Sequence, residues 1–140
     1  RMGQWTVAWL YERVDPADVE PEVLMWWMHR RINPDAAPTD RVVVQFDHTA
    51  PQRRSYWMVF EQRGASVCMA DPGFPVDAVV TCSTEQLGRV FAGFESWPEA
   101  VRAGAIEVSG RRDVARGLPT WFAWSPWAED VRRQAKAARR

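Results

Sequence analysis

The chain has 140 residues, 46% of them hydrophobic and 26% charged, and its 18 basic residues cancel its 18 acidic ones. That length fits one domain able to bury a core of its own, and the composition excludes an intrinsically disordered chain. Charge neutrality removes the overall basic character of a nucleic-acid-binding domain, and no apolar run approaches the roughly 20 residues that cross a bilayer.

The N-terminus lacks the basic segment, apolar stretch and cleavage site of a secretory leader, so a cytoplasmic protein with no membrane insertion is expected. Cys68 and Cys82 are too few for a disulfide framework and stand at no metal-binding spacing. Each lies in an apolar run and reads as a buried thiol that packs as a small hydrophobe. No metal and no cofactor are expected.

In chain order, Trp5 to Arg13 reads as a short helix, with Trp5, Ala8 and Trp9 on one face, inside a junction segment over residues 1–16. Asp15-Pro16 ends it, because the residue ahead of a proline is pushed out of helical geometry. A ligand-binding domain is expected over residues 17–127. It opens with a helix from Pro21 to about Ile32, whose apolar face carries Leu24, Trp27, Met28 and Ile32, and Asn33-Pro34 stops it.

The period then changes from helical to alternating. Arg41 to His48 and Ser55 to Gln62 alternate as half-buried strands do. Arg63-Gly64 reads as a turn into a strand over Ala65 to Ala70, and Asp71-Pro72-Gly73 breaks the chain before a fourth strand, Ala78 to Cys82. The first three strands, joined by short turns, should pair as an antiparallel meander.

Ser83 and Gln86 have the form of a capping box, followed by Leu87, Val90, Phe91 and Phe94 at helical spacing. Ser96 and Glu99 repeat the cap around Trp97-Pro98, with Gly104 as the stop, and Ile106 to Ser109 is a fifth strand. A last helix runs from Arg112 to about Ala123, with a kink because Pro119 has no amide hydrogen to donate. The tail over residues 128–140 holds Arg132, Arg133, Lys136, Arg139 and Arg140 against Glu129 and Asp130, and reads as a solvated basic helix end. Segregated blocks of strands and helices argue for an α+β fold: a five-stranded, mostly antiparallel sheet covered on one face by helices.

Catalysis is not expected. His29 and His48 are the two histidines, and both read as surface or capping residues with no nucleophile in evident reach. Phosphate-binding glycine loops and paired carboxylates are missing as well. The unusual feature is nine tryptophans. Phe46, Met58, Phe60 and Val80 fall on the covered side of the sheet, opposite helices carrying Leu87, Phe91, Phe94, Trp97, Trp121 and Phe122. Two readings stay open. The rings line an apolar pocket for a hydrophobic small molecule or lipid, or they fill a solid core while outward Trp57 and Val59, with Trp5 and Trp9, form a homodimer interface.

The segment from Gly104 to Gly110, leading into a helix with Val114, Ala115 and Leu118, resembles the last strand and final helix of sterol carrier protein type 2-like domains. That resemblance implies a five-stranded sheet covered by helices, with an apolar tunnel that takes lipids. A narrower similarity spans nearly the whole chain. Leu24-Met25-Trp26-Trp27, Arg30-Arg31-Ile32, Asp71-Pro72-Gly73, Asp77 to Thr81, Ser96 to Ala100, and Trp121-Phe122 before Ser125-Pro126 resemble the version appended to bacterial winged-helix regulators of the HxlR type. It implies an effector-sensing domain of a transcriptional regulator, with DNA contacted only through a winged helix that these residues do not supply.

Overall fold

A computed structural model describes residues 19–124. The expected junction helix and basic tail lie outside the described residues. Pro21–His29 forms α1, followed by β1 (Val42–His48), β2 (Arg54–Glu61), β3 (Gly64–Cys68) and β4 (Ala78–Cys82). Then come α2 (Thr84–Ala92), α3 (Trp97–Arg102), β5 (Glu107–Gly110) and α4 (Arg112–Gly117), with a 3-10 turn over Leu118–Thr120.

The first helix starts at its proline but stops before the expected Ile32, because the backbone there finds other partners. Ile32 bridges to Phe122 in antiparallel fashion, Asn33 N donates to the Trp121 carbonyl at 2.8 Å, and Ala123 N donates to the Arg31 carbonyl at 2.6 Å. Its buried residues are Leu24, Met25 and Met28, while Trp27 is only partly buried. The apolar face is therefore rotated toward Met25 from the expected one.

The strands assemble in the order β3-β2-β1-β4-β5. The meander forms as expected, β1 with β2 and β2 with β3 both antiparallel. β4 adds parallel to β1, and β5 antiparallel to β4. The β2–β3 turn falls at Gln62 and Arg63, one residue earlier than expected, with φ of 51° and 63°. Two consecutive positive φ values match the twist of a tight two-residue hairpin. The strain is held by hydrogen bonds from Gln62 N to the Thr39 carbonyl and from Arg63 N to the Pro38 carbonyl.

Asp77 ties three strands together. Its Oδ2 accepts from Val43 N at 2.8 Å, its own amide donates to the Val43 carbonyl, and its carbonyl accepts from Arg111 N. Gly110, the last residue of β5, has φ of 113° and passes so close that a Cβ there would lie 2.4 Å from the Asp77 carbonyl oxygen.

Both serine caps are present. Ser83 Oγ accepts from Gln86 N and Ser96 Oγ from Glu99 N, although the Gln86 side chain reaches Glu95 rather than back to the cap. The final helix ends at Gly117 and tightens into the 3-10 turn instead of running on to Ala123. Pro119 explains this, since its ring and missing N–H end an α-helix. Helices and sheet together make the expected α+β architecture.

Candidate functional site

Register places one continuous apolar face on the sheet. Val44 pairs with Met58 and Ala78, Phe46 with Tyr56 and Val80, Val42 with Phe60, and Val80 with Val108. Because side chains alternate along a strand, all of these point to the same side. Leu87 and Phe91 from α2, Trp97 from α3, and Trp121 and Phe122 after the 3-10 turn close over that face.

Nine of the ten side chains singled out from the sequence therefore meet in one buried cluster: Phe46, Met58, Phe60, Val80, Leu87, Phe91, Trp97, Trp121 and Phe122. Phe94 is the exception, half-buried with the Arg89 guanidinium 5.8 Å above its ring. The helical spacing that linked it to Phe91 is broken by Gly93, which caps α2 in the left-handed conformation with φ of 90°.

Around Phe60 the rings meet at angles that favour attraction between a ring edge and a ring face. Phe60 contacts Trp121 at 5.0 Å and Phe122 at 5.9 Å between centroids. Trp124, absent from the sequence-derived set, extends the cluster by standing 5.2 Å from Phe122, 6.1 Å from Trp97 and 6.4 Å from Phe91. Its indole N–H donates to the Pro119 carbonyl at 2.9 Å, which satisfies its polar end. The run Trp121-Phe122-Ala123-Trp124 was the clue to it.

One end of this apolar face is polar. His48 was expected at the surface, yet it is 2% exposed. The period of Val42, Val44, Phe46 and His48 carries it inward. Its Nδ1 is 2.7 Å from the Thr84 hydroxyl at the start of α2. Burial pushes its pKa down to about 4, a drop the nearby Asp47 carboxylate only partly opposes.

Tyr56, also 2% exposed, meets the His48 ring edge to face at 5.2 Å. Burial raises its phenol pKa, with the Glu22 carboxylate adding to the effect. Neither His48 Nε2 nor the Tyr56 hydroxyl has a hydrogen-bond partner among the described residues. His29, by contrast, behaves as a capping residue, its Nδ1 bonding the Trp26 carbonyl.

Beside that corner, Glu22, Val23 and Trp26 of α1 face Val67 and Met69 across a groove of about 350 Å³. Trp26 is 49% exposed there and Met69 61%, while Arg30 stacks its guanidinium 4.8 Å from the Trp26 ring. None of these residues was assigned to a binding surface from the sequence, although Trp26 and Arg30 stand in the segments that carry the family resemblance. On the opposite face of the sheet Val59 pairs with Val43 and both are buried, beside a half-buried Trp57. Trp5 and Trp9 lie outside the described residues. Cys82 is buried and Cys68 partly so. Among the described residues no cluster of three metal-ligating side chains occurs, and no helix is long and apolar enough to cross a membrane.

No protein-family model matches the sequence, and no curated protein does. Solved structures do match in fold. Sterol carrier protein 2 like 2 from Aedes aegypti superposes with a TM-score of 0.56 at 18% identity, covering 71% of this chain and 93% of that one. Its palmitated form in solution gives 0.57 at 21% identity, covering 71% and 90%. The stereoselective inverting sec-alkylsulfatase Pisa1 from Pseudomonas sp. gives 0.60 at 14% identity, over 77% of this chain. The chain spans 17% of that enzyme's length, so the likeness concerns one portion of it. The mixed five-stranded sheet with its helices is thus a sterol carrier protein 2-like fold.

Proposed function

We propose that this chain binds a hydrophobic small molecule or lipid between its sheet and its helices, as a binding domain rather than an enzyme. The observation that carries the reading is the convergence of Phe60, Phe91, Trp97, Trp121, Phe122 and Trp124 on one apolar sheet face. Aromatic and aliphatic side chains with a few polar groups are what small-molecule sites are built from. The fold likeness to a carrier solved with palmitate, and to a portion of an enzyme acting on alkyl sulfates, supports an alkyl-bearing ligand.

In this reading the ten residues from Phe46 to Phe122 named above form the binding surface, with Phe94 at its margin. The domain serves as the effector-sensing part of a bacterial regulator resembling the HxlR type, and DNA is contacted by a winged helix rather than by these residues. The test is titration of the full chain with diphenylhexatriene, an oxygen-free hydrocarbon that fluoresces in apolar surroundings. Saturable emission at micromolar concentration, with a raised melting temperature, is expected. Absence of both, together with no response to fatty acids or sterols, would overturn the proposal.

A further inference from the structure

Among the described residues three buried polar side-chain atoms lack a hydrogen-bond partner, Trp57 Nε1, His48 Nε2 and the Tyr56 hydroxyl, and the last two lie where His48 and Tyr56 meet. A buried polar group without a partner forfeits the hydrogen bond it would make to water, so such groups are rare in folded proteins and mark positions where something else bonds them. Here two occur side by side, with ring centroids 5.2 Å apart. They share the sheet face of Phe46, since Tyr56 is the register partner of Phe46 and His48 follows it by two residues. A ligand lying along that face would end against them.

We propose that His48 and Tyr56 are the polar anchor of the interior site, and that they take the hydroxyl group of a neutral amphiphile, an alcohol rather than a carboxylate. This rests on the proposed binding function and names the chemical class of its ligand. Hydrogen-bonding capacity points to an alcohol. His48 Nδ1 is engaged by Thr84, so Nε2 is left either as a bare acceptor or as an N–H donor, according to the tautomer. An alcohol suits both cases, for it donates to a bare Nε2 while accepting from the phenol, or accepts from Nε2–H while donating to the phenol oxygen.

Charge argues against a carboxylate. The imidazole is neutral at physiological pH, its pKa lying near 4. Around Tyr56 the carboxylates of Glu22 and Glu20 act against the single guanidinium of Arg54, which itself lies 4.0 Å from Glu22. Among the described residues an anionic headgroup would enter a buried corner whose one nearby guanidinium already stands beside a carboxylate, and a buried charge without a partner is costly.

The experiment compares decanol, decanoate and diphenylhexatriene on the full chain and on Tyr56→Phe, reading affinity by fluorescence and stability by melting temperature. Wild type should bind decanol roughly tenfold more tightly than decanoate, the worth of one well-made hydrogen bond. Tyr56→Phe should weaken decanol by roughly tenfold. It should leave diphenylhexatriene and decanoate unchanged. Its melting temperature should be equal or higher, because the variant removes an unpartnered buried hydroxyl and keeps the ring. A merely structural tyrosine would give a lower melting temperature and an equal loss for all three. That result, or wild type binding decanoate as tightly as decanol, overturns the anchor. If diphenylhexatriene binds and the alcohol preference is missing, only the anchor falls; if nothing binds, the binding function falls with it.

Discussion

The indole of Trp121 meets the ring of Phe60 edge to face, with centroids 5.0 Å apart and planes inclined by 62°. This contact joins the end of β2 to the chain just beyond α4, so it locks the final helical layer onto that strand. Replacing either ring by alanine should cost about 3 to 5 kcal/mol through lost burial and the cavity left behind. The double variant should be less destabilised than the sum by about 1 kcal/mol, the worth of an aromatic pair beyond its area. Urea melts of the four proteins measure the coupling, and strict additivity would show that the pair has no energy of its own.

Stability should depend on His48 protonation in the window just below neutrality. Its pKa is about 4 in the folded chain against an ordinary 6.5, so the unfolded chain binds the proton more tightly. Stability is therefore complete above the ordinary value and is lost as the pH falls toward the folded one. The total loss should be roughly 2 to 3 kcal/mol, relaxation around the buried charge keeping it below the full worth of the shift. Between pH 6.5 and 5, before most carboxylates titrate, His48→Gln should flatten the slope of the denaturation midpoint. An unchanged slope in that variant would assign the pH dependence elsewhere.

Two glycines with positive φ should respond very differently to alanine. At Gly110 the new methyl would lie 2.4 Å from the Asp77 carbonyl oxygen and 2.7 Å from the Ala78 Cα, backbone that cannot yield without opening β5. Gly110→Ala should cost about 3 kcal/mol, combining strain with overpacking. At Gly73 the same methyl meets nothing within 4 Å, so only the left-handed backbone is penalised, by about 1 kcal/mol. Thermal melts of both variants test the ranking, which fails if Gly73→Ala is the worse.

The cysteines should separate by reactivity. Burial pushes the Cys82 thiol up to about 12, so almost none of it is thiolate near neutral pH, and its side chain faces the core. Cys68 lies only partly buried on the edge strand β3. Ellman's reagent should label Cys68 first in the native protein and reach Cys82 only on unfolding. Equal native rates would contradict the packing of β4 against β1.

Much of this fold was legible because its local rules agree. Period-two alternation placed β1 and β2, and it assigned Phe46, Met58 and Phe60 to the covered face. The serines at 83 and 96 announced two helix starts that the backbone hydrogen bonds bear out. What escaped was non-local. α1 stops early because Ile32 is recruited by Phe122, ninety positions away in the chain, and no pattern around residue 32 records that pairing. The parallel placement of β4 beside β1 is equally invisible to turn lengths. His48 was misjudged because its chemistry suggested solvent while its phase along β1 put it inside. In the candidate site the large rings were legible by type and spacing. Phe94 fell out once Gly93 turned the chain, and Trp124 joined only because the 3-10 turn brought it back.

The pairing of β1 has one more consequence, for how the protein is made. Residues from Val42 to Cys68 suffice to complete the β1-β2-β3 meander, but the far side of β1 stays open until Ala78–Cys82 arrives to lie parallel to it. That open edge is rich in β-branched side chains, and an unpaired strand of this kind is a template for a neighbouring chain. Asp77 is the residue that shuts it, since it grips the amide and the carbonyl of Val43 just ahead of β4. Self-association should therefore be governed by crowding among incomplete chains, and losses in variants of Asp77 should show first as inclusion bodies during expression, before any effect on the finished protein.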